Sequence, residues 1–152
     1  MKISRPNKRP VVTGTRDMNI RDAAALMRAE HVGTLVIMDD QDETKPVGVL
    51  TDRDIVVGGI ALGLDPEVVT AEMLMTDQPV TVRDTASLED VMDKMCEYGA
   101  RRLLVVNKTG ALVGVVSMDD LVEKIGKVLT KLGSTATRAG EREAKRRLHF
   151  PA

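Results

Sequence analysis

Two hydroxyl–carboxylate pairs, Thr51-x-x-Asp54 and Ser117-x-x-Asp120, stand at matching places in this 152-residue chain. Each follows an apolar run that opens on glycine, Gly48-Val49-Leu50 or Gly114-Val115-Val116, and each precedes an apolar helical pattern led by Ile55 or Leu121. A strand that ends where a helix begins gathers a hydroxyl, backbone N–H groups and a carboxylate. The N–H groups of a helix start attract phosphate. A carboxylate accepts from ribose hydroxyls, as the acidic residue of dinucleotide folds does. The same spacing also suits a capping box, in which the hydroxyl accepts from a backbone N–H and the carboxylate sits in the favourable first turn. Asn19-x-x-Asp22 and Ser87-x-x-Asp90 fit that second template too. The spacing alone therefore marks helix starts and leaves the ligand open. The twin strand–helix junction points to two equivalent clefts for a polar ligand rather than to one catalytic centre.

The elements that must position these pairs also repeat. Thr13 falls on Thr81, Asp22 on Asp90, Met27 on Met95 and Leu35 on Leu103. The loop 39–46 is two residues longer in the first copy, after which Gly48 falls on Gly114 and Asp54 on Asp120. Leu88, Val91, Met92 and Met95 follow Ser87 at helical spacing, and Ile20, Ala23, Ala24 and Met27 follow Asn19 in the same way. Gly99 is placed to end the second of these helices. Strands are predicted at 34–38, 47–50, 103–106 and 112–116, with Lys108-Thr109-Gly110 as a hairpin turn. Short strands at 11–13 and 80–82 precede the copies. A further helix then starts at Thr51 or Ser117. Its buried face is expected to carry Ile55, Val56 and Ile60 in the first copy, and Leu121, Val122, Ile125 and Leu129 in the second. The order is β-α-β-β-α, twice, an α/β (α+β) arrangement. Residues 64–70 read as a linker, with Thr70 capping a short helix at 71–75. The divisions are a basic tail at 1–9, repeats at 10–69 and 70–132, and a charged, flexible tail at 133–152 in which 141–148 could form a helix.

With 43% hydrophobic residues, the chain has the apolar content for one ordinary core. A net charge of −1 gives no overall field for nucleic acid or an anionic membrane, although both ends are locally basic. Cys96 is the only cysteine, so no intramolecular disulfide forms, which suits a reducing compartment. It is expected to be a packed structural thiol. No apolar stretch follows the basic residues 1–9, and no run approaches the ~20 residues a membrane span needs, so a cytoplasmic location is expected. His31 and His149 belong to no metal-ligand pattern, and Asp39-Asp40 reads as a solvated loop. Tyr98 and Phe150 are the only aromatics. Base stacking is thus nearly unavailable, and nucleic-acid binding is not expected. No nucleophile–base pair, phosphate-binding glycine loop or dinucleotide fingerprint is present, so the chain reads as a non-enzyme.

The segments "GVLTDRDI", "GVVSMDDL" and "GARRLLVVNKTGALVG", set in this repeat, resemble a tandem pair of CBS (cystathionine-β-synthase) domains, the unit called a Bateman module, over residues 10–132. "LTDRDIVVGGIALGLDP" resembles the small stand-alone pairs of bacteria. The resemblance implies two repeats packed through their sheets with pseudo-two-fold symmetry. It implies clefts for an adenine-containing regulatory ligand (AMP, ADP, ATP, S-adenosylmethionine or NAD(H)), used for energy sensing, and a homodimer with an unidentified protein target. Carried onto this chain, Asp54 and Asp120 match the ribose-binding acid, and Thr51 and Ser117 match the neighbouring hydroxyl. Arg102 matches a phosphate-contacting position that Thr34 fills in the first copy. Arg53 could reach phosphate where Met118 stands in the second copy, and Thr13 and Thr81 are weaker candidates. The alternative is a ligand-free dimeric interaction scaffold in which the acids only cap helices.

Overall fold

The computed structural model describes residues 11–147. The basic segment 1–9, His149 and Phe150 lie outside them. The chain divides between Val116 and Ser117 into two units.

The first unit holds two sheets. One has the order β1-β2-β3-β4, with β1 at Thr13–Gly14, β2 at Thr34–Met38, β3 at Pro46–Thr51 and β4 at Thr76–Asp77. The other has the order β5-β6-β7, with β5 at Thr81–Arg83, β6 at Arg102–Val106 and β7 at Leu112–Ser117. The repeat extends to register. β1 runs parallel to β2 with Thr13 opposite Val36, and β5 runs parallel to β6 with Thr81 opposite Leu104. Leu35 and Ile37 of β2 enter the core, whereas Val36, which strand alternation turns to the other face, is equally buried. Cover on both faces explains why β2 reads as an unbroken apolar run, and β6 with Leu103–Val106 buried does the same.

Helix α1 (Ile20–Glu30) starts as the sequence predicts, with the Asn19 side chain accepting from the Asp22 N–H at 2.8 Å. It buries Ile20, Ala23 and Met27, and His31 closes it in the left-handed region at φ 54. The linker is part of the core rather than a spacer. The Ile20 N–H donates to the Val69 carbonyl at 2.9 Å, and the Ala71 N–H donates to the Met18 carbonyl at 2.7 Å. Val69 and Ala71 are buried, and Arg16 pairs with Glu72 at 2.9 Å. Thr70 precedes α3 (Ala71–Leu74) in extended conformation but makes no side-chain cap; its backbone bridges Asn19 instead.

Helix α4 (Leu88–Tyr98) carries a complete capping box between Ser87 and Asp90, and Gly99 ends it at φ 60. The two Ser87 hydrogen bonds hold the Asp90 carboxyl below the usual carboxylate range. Cys96 is exposed, which corrects the packed-thiol expectation; the buried stripe of α4 passes through Val91 and Met95.

The helix after Thr51 departs from a regular α-helix. It begins as α2 (Asp52–Asp54), widens into a π turn at Ile55–Gly59, and tightens into a 3₁₀ turn at Ile60–Leu62. Of its expected apolar face, Ile55 is buried, but Val56 and Ile60 are 56% and 54% exposed. Periodicity counted at 3.6 residues per turn misplaces side chains once the winding changes.

In the second unit, α5 (Met118–Arg147) is one helix of 30 residues. Leu121 is buried, whereas the expected core residues Val122 and Leu129 are exposed. The helix runs past Leu132, where the sequence stops being periodic. Thr130, Thr135 and Thr137 each return a hydroxyl bond to the carbonyl four residues earlier, at 2.9 to 3.2 Å, and so remain within the helical ladder.

Candidate functional site

At the first junction, β3 delivers Thr51 to the start of α2, directly opposite Thr34 of β2. The Thr51 backbone N–H and hydroxyl both donate to Asp54 Oδ2, at 2.8 and 2.6 Å, and the Asp54 N–H donates to Thr51 Oγ1 at 3.2 Å. Both residues are half-buried. One carboxylate oxygen is thus committed to the capping box, while Oδ1 takes no hydrogen bond among the described residues. The Thr34 hydroxyl is buried without a partner among the same residues. Thr34 and Thr51 therefore face each other across the hairpin, and Thr51 holds Asp54.

Gly33 shapes this junction, and the sequence reading passed over it. Its carbonyl accepts from the Asp52 N–H at 3.1 Å, and a Cβ on Gly33 would lie 2.8 Å from Asp52 Oδ2. That bond bears on phosphate binding. The Asp52 N–H is taken by Gly33, the Arg53 N–H by Asp52 Oδ1 at 2.8 Å, the Asp54 N–H by Thr51, and the Ile55 N–H by the Asp52 carbonyl. The expected set of free first-turn donors is absent here. Any phosphate at this junction must rely on side chains, and the exposed Arg53 is the cation in the motif. Gly48 serves packing. A Cβ there would lie 2.3 Å from Met75 Sδ, so Gly48 admits the buried Met75 beside β4.

The second junction repeats the clamp. The Ser117 N–H donates to Asp120 Oδ2 at 2.8 Å, its hydroxyl donates to the same oxygen, and the Asp120 N–H returns to Ser117 Oγ at 3.2 Å. Arg102 is exposed at the start of β6. Thr81 is half-buried, and its carbonyl accepts from Lys94 Nζ at 2.9 Å.

Thr13 stands opposite Val36, two residues along β2 from Thr34. It lines a cavity of about 630 Å³ with Asp17, Asp39, Asp40, Glu43 and Met38. Four carboxylates border that space, which does not suit a phosphate within it. Asp39 and Asp40 thus border a cavity as well as a loop. Asp39 Oδ1 accepts from the Gln41 and Asp42 N–H groups at 2.9 and 3.0 Å and thereby shapes the turn. Among the described residues, no three or more His, Cys, Asp or Glu side chains cluster as a metal site, and no helix is long and apolar enough to cross a membrane.

The CBS domain family matches residues 6–58 and 69–127, one segment for each repeat. The chain belongs to the CBS domain family. A CBS domain protein from Pyrobaculum aerophilum, solved in complex with AMP, is 34% identical with a TM-score of 0.69 over 75% of this chain and 85% of that one. Hypoxic response protein 1 of Mycobacterium tuberculosis is 39% identical over 68% of this chain and 70% of its own. A solved structure named hypoxic response protein I, with two coordinated zinc ions, is 34% identical with a TM-score of 0.63 over 76% of this chain and 90% of that one. An uncharacterised protein of Methanopyrus kandleri is 32% identical over 76% of this chain, and the match spans 58% of that protein's length. The CBS-pair fold, α+β with two sheets and five α-helices among the described residues, is thereby established.

Proposed function

We propose that this CBS pair is a non-catalytic regulatory module that binds an adenine-containing ligand at its strand–helix junctions. The ligand is one of AMP, ADP, ATP, S-adenosylmethionine or NAD(H). The observation that carries the reading is the repeated clamp. Thr51 and Ser117 each hold one oxygen of Asp54 or Asp120, so both carboxylates stand in a fixed orientation at a strand end. Asp54 Oδ1 is then the acceptor for a ribose hydroxyl, with Thr34 across the hairpin from Thr51. Arg53 and Arg102 supply the cations for phosphate. The AMP complex of the Pyrobaculum aerophilum protein supports the choice of ligand class. The repeats are taken as 10–69 and 70–132, and the setting as the cytoplasm. Exposed Val57, Leu62 and Leu129 support a homodimer as the working form.

Isothermal titration with AMP, ADP, ATP, S-adenosylmethionine and NADH tests the reading. At least one is expected to bind. Asp54→Ala or Asp120→Ala is expected to weaken its own site about 10- to 100-fold, because a hydrogen bond to a charged group contributes about 1.5–3 kcal/mol. A folded wild-type protein that binds none of the panel would refute the proposal and leave the interaction scaffold.

A further inference from the structure

The segment from Asp52 to Leu62 is wound three ways in succession, and the Ile60 N–H stands where the windings meet. It points at two acceptors at once, the Ile55 carbonyl five residues back and the Val56 carbonyl four residues back. The first bond belongs to a π turn and the second to an α-helix. We propose that this segment is a two-register helix and that occupancy at Asp54 selects the register. The coupling to Asp54 rests on the proposed function; the two registers do not.

Both ends are fixed, so the registers can exchange locally. At the start, the Thr51–Asp54 box holds the first turn. At the end, the Gly63 N–H donates to the Ile60 carbonyl at 3.0 Å, and Gly63 turns the chain at φ 68. Between them, an under-wound π turn is followed by an over-wound 3₁₀ turn, whose rise is about 2.0 Å per residue against about 1.5 Å for the α form. The two deviations oppose each other in rotation and in length. Even winding over the same residues therefore leaves the flanking chain in place.

Packing holds the uneven form. A Cβ on Gly59 would lie 2.7 Å from Ile20 Cδ1, and one on Gly58 would lie 3.2 Å from Leu74 Cδ2. Ile20 is fully buried, so the wide turn brings bare backbone onto a fixed core side chain. The second repeat lacks this arrangement. In the register of Asp54 and Asp120, Lys124-Ile125 stand in place of Gly58-Gly59, and α5 is α-helical throughout. The device belongs to the first repeat alone.

Asp54 is also the residue from which the π turn departs. A ligand whose sugar is held at Asp54 and whose phosphate lies beside Arg53, in the same first turn, gains most from a continuous ladder of aligned peptide dipoles, which the even α register supplies. Ligand can shift the balance only through such a difference in affinity. Since one residue of register is about 100° of rotation in an α-helix, the exposed Val56, Val57 and Ile60 would turn relative to Asp54.

NMR couplings across hydrogen bonds read the acceptor of the Ile60 N–H directly. The ligand-free protein is expected to show coupling to both Ile55 and Val56 carbonyls. Gly59→Ala is expected to abolish the Ile55 coupling, and adding Ile20→Val, which removes the opposing Cδ1, to restore it. Gly58→Ala is the milder variant if Gly59→Ala does not fold, with the same loss expected in part. A single acceptor in wild type, unchanged in these variants, would overturn the two registers. AMP is expected to strengthen the Val56 coupling. AMP that binds by calorimetry yet leaves both couplings unchanged overturns the link to Asp54. If no member of the panel of AMP, ADP, ATP, S-adenosylmethionine and NADH gives binding heat, the nucleotide reading fails with that link, and the registers are judged on the Gly59→Ala result alone.

Discussion

Each junction carboxylate serves its own chain before it can serve a ligand. Asp54 spends Oδ2 on Thr51, which orients the group at the cost of flexibility and leaves Oδ1 outward. Capping and binding are therefore compatible at one residue. The N-caps have a measurable share in stability: Asn19→Ala is expected to cost about 1 kcal/mol in urea unfolding, the usual loss when such a cap is removed. The loop carries its own titration signal. The Thr44 hydroxyl and N–H and the Lys45 ammonium lower the Asp42 carboxyl from 3.8 to about 2. A depressed carboxylate favours the folded state above its unfolded value. That contribution is lost as pH falls from about 4 through about 2. Asp42→Asn is expected to flatten the pH dependence of stability in this acid window, as followed by unfolding at stepped pH.

Among the elements, the central hairpin and the linker carry the first core. Leu50 is fully buried between β2 and the helices, so Leu50→Ala is expected to lower stability by about 2–5 kcal/mol in denaturant unfolding. Gly48→Ala is expected to cost about 1–3 kcal/mol by overpacking against Met75. Its pairing with Met75→Ala should cost less than the two single changes together, because the residues share one space. The sequence marks Gly48 by its place before Thr51. Its neighbour, Met75, follows the linker at the end of a short segment whose docking no local pattern announces.

At the level of the molecule, several residues that the helical pattern assigned to a core are exposed. Val122 and Leu129 of α5, and Val56 and Ile60 of the first repeat, fit an interface between copies. Size-exclusion chromatography with light scattering is expected to report a dimer. Val57→Glu and Leu129→Glu are expected to shift it towards monomer; a wild-type monomer at all concentrations would count against the homodimer.

Much was legible in the residues because it depends on local chemistry. Asn19 and Ser87 cap helices through bonds that span three residues. Gly99 accepts a positive φ at no steric cost, and the alternation and length of apolar runs set β2 and β6. The resemblance of the two motifs carried the family. Tertiary structure alone decided the rest. Gly33 closes the Asp52 amide to phosphate, across nearly twenty positions of sequence. Thr13 borders the acidic loop around Asp39 because β1 pairs alongside β2, with Thr13 opposite Val36. The π turn arises where Gly59 meets Ile20, a contact between distant residues that no periodicity within one segment can encode.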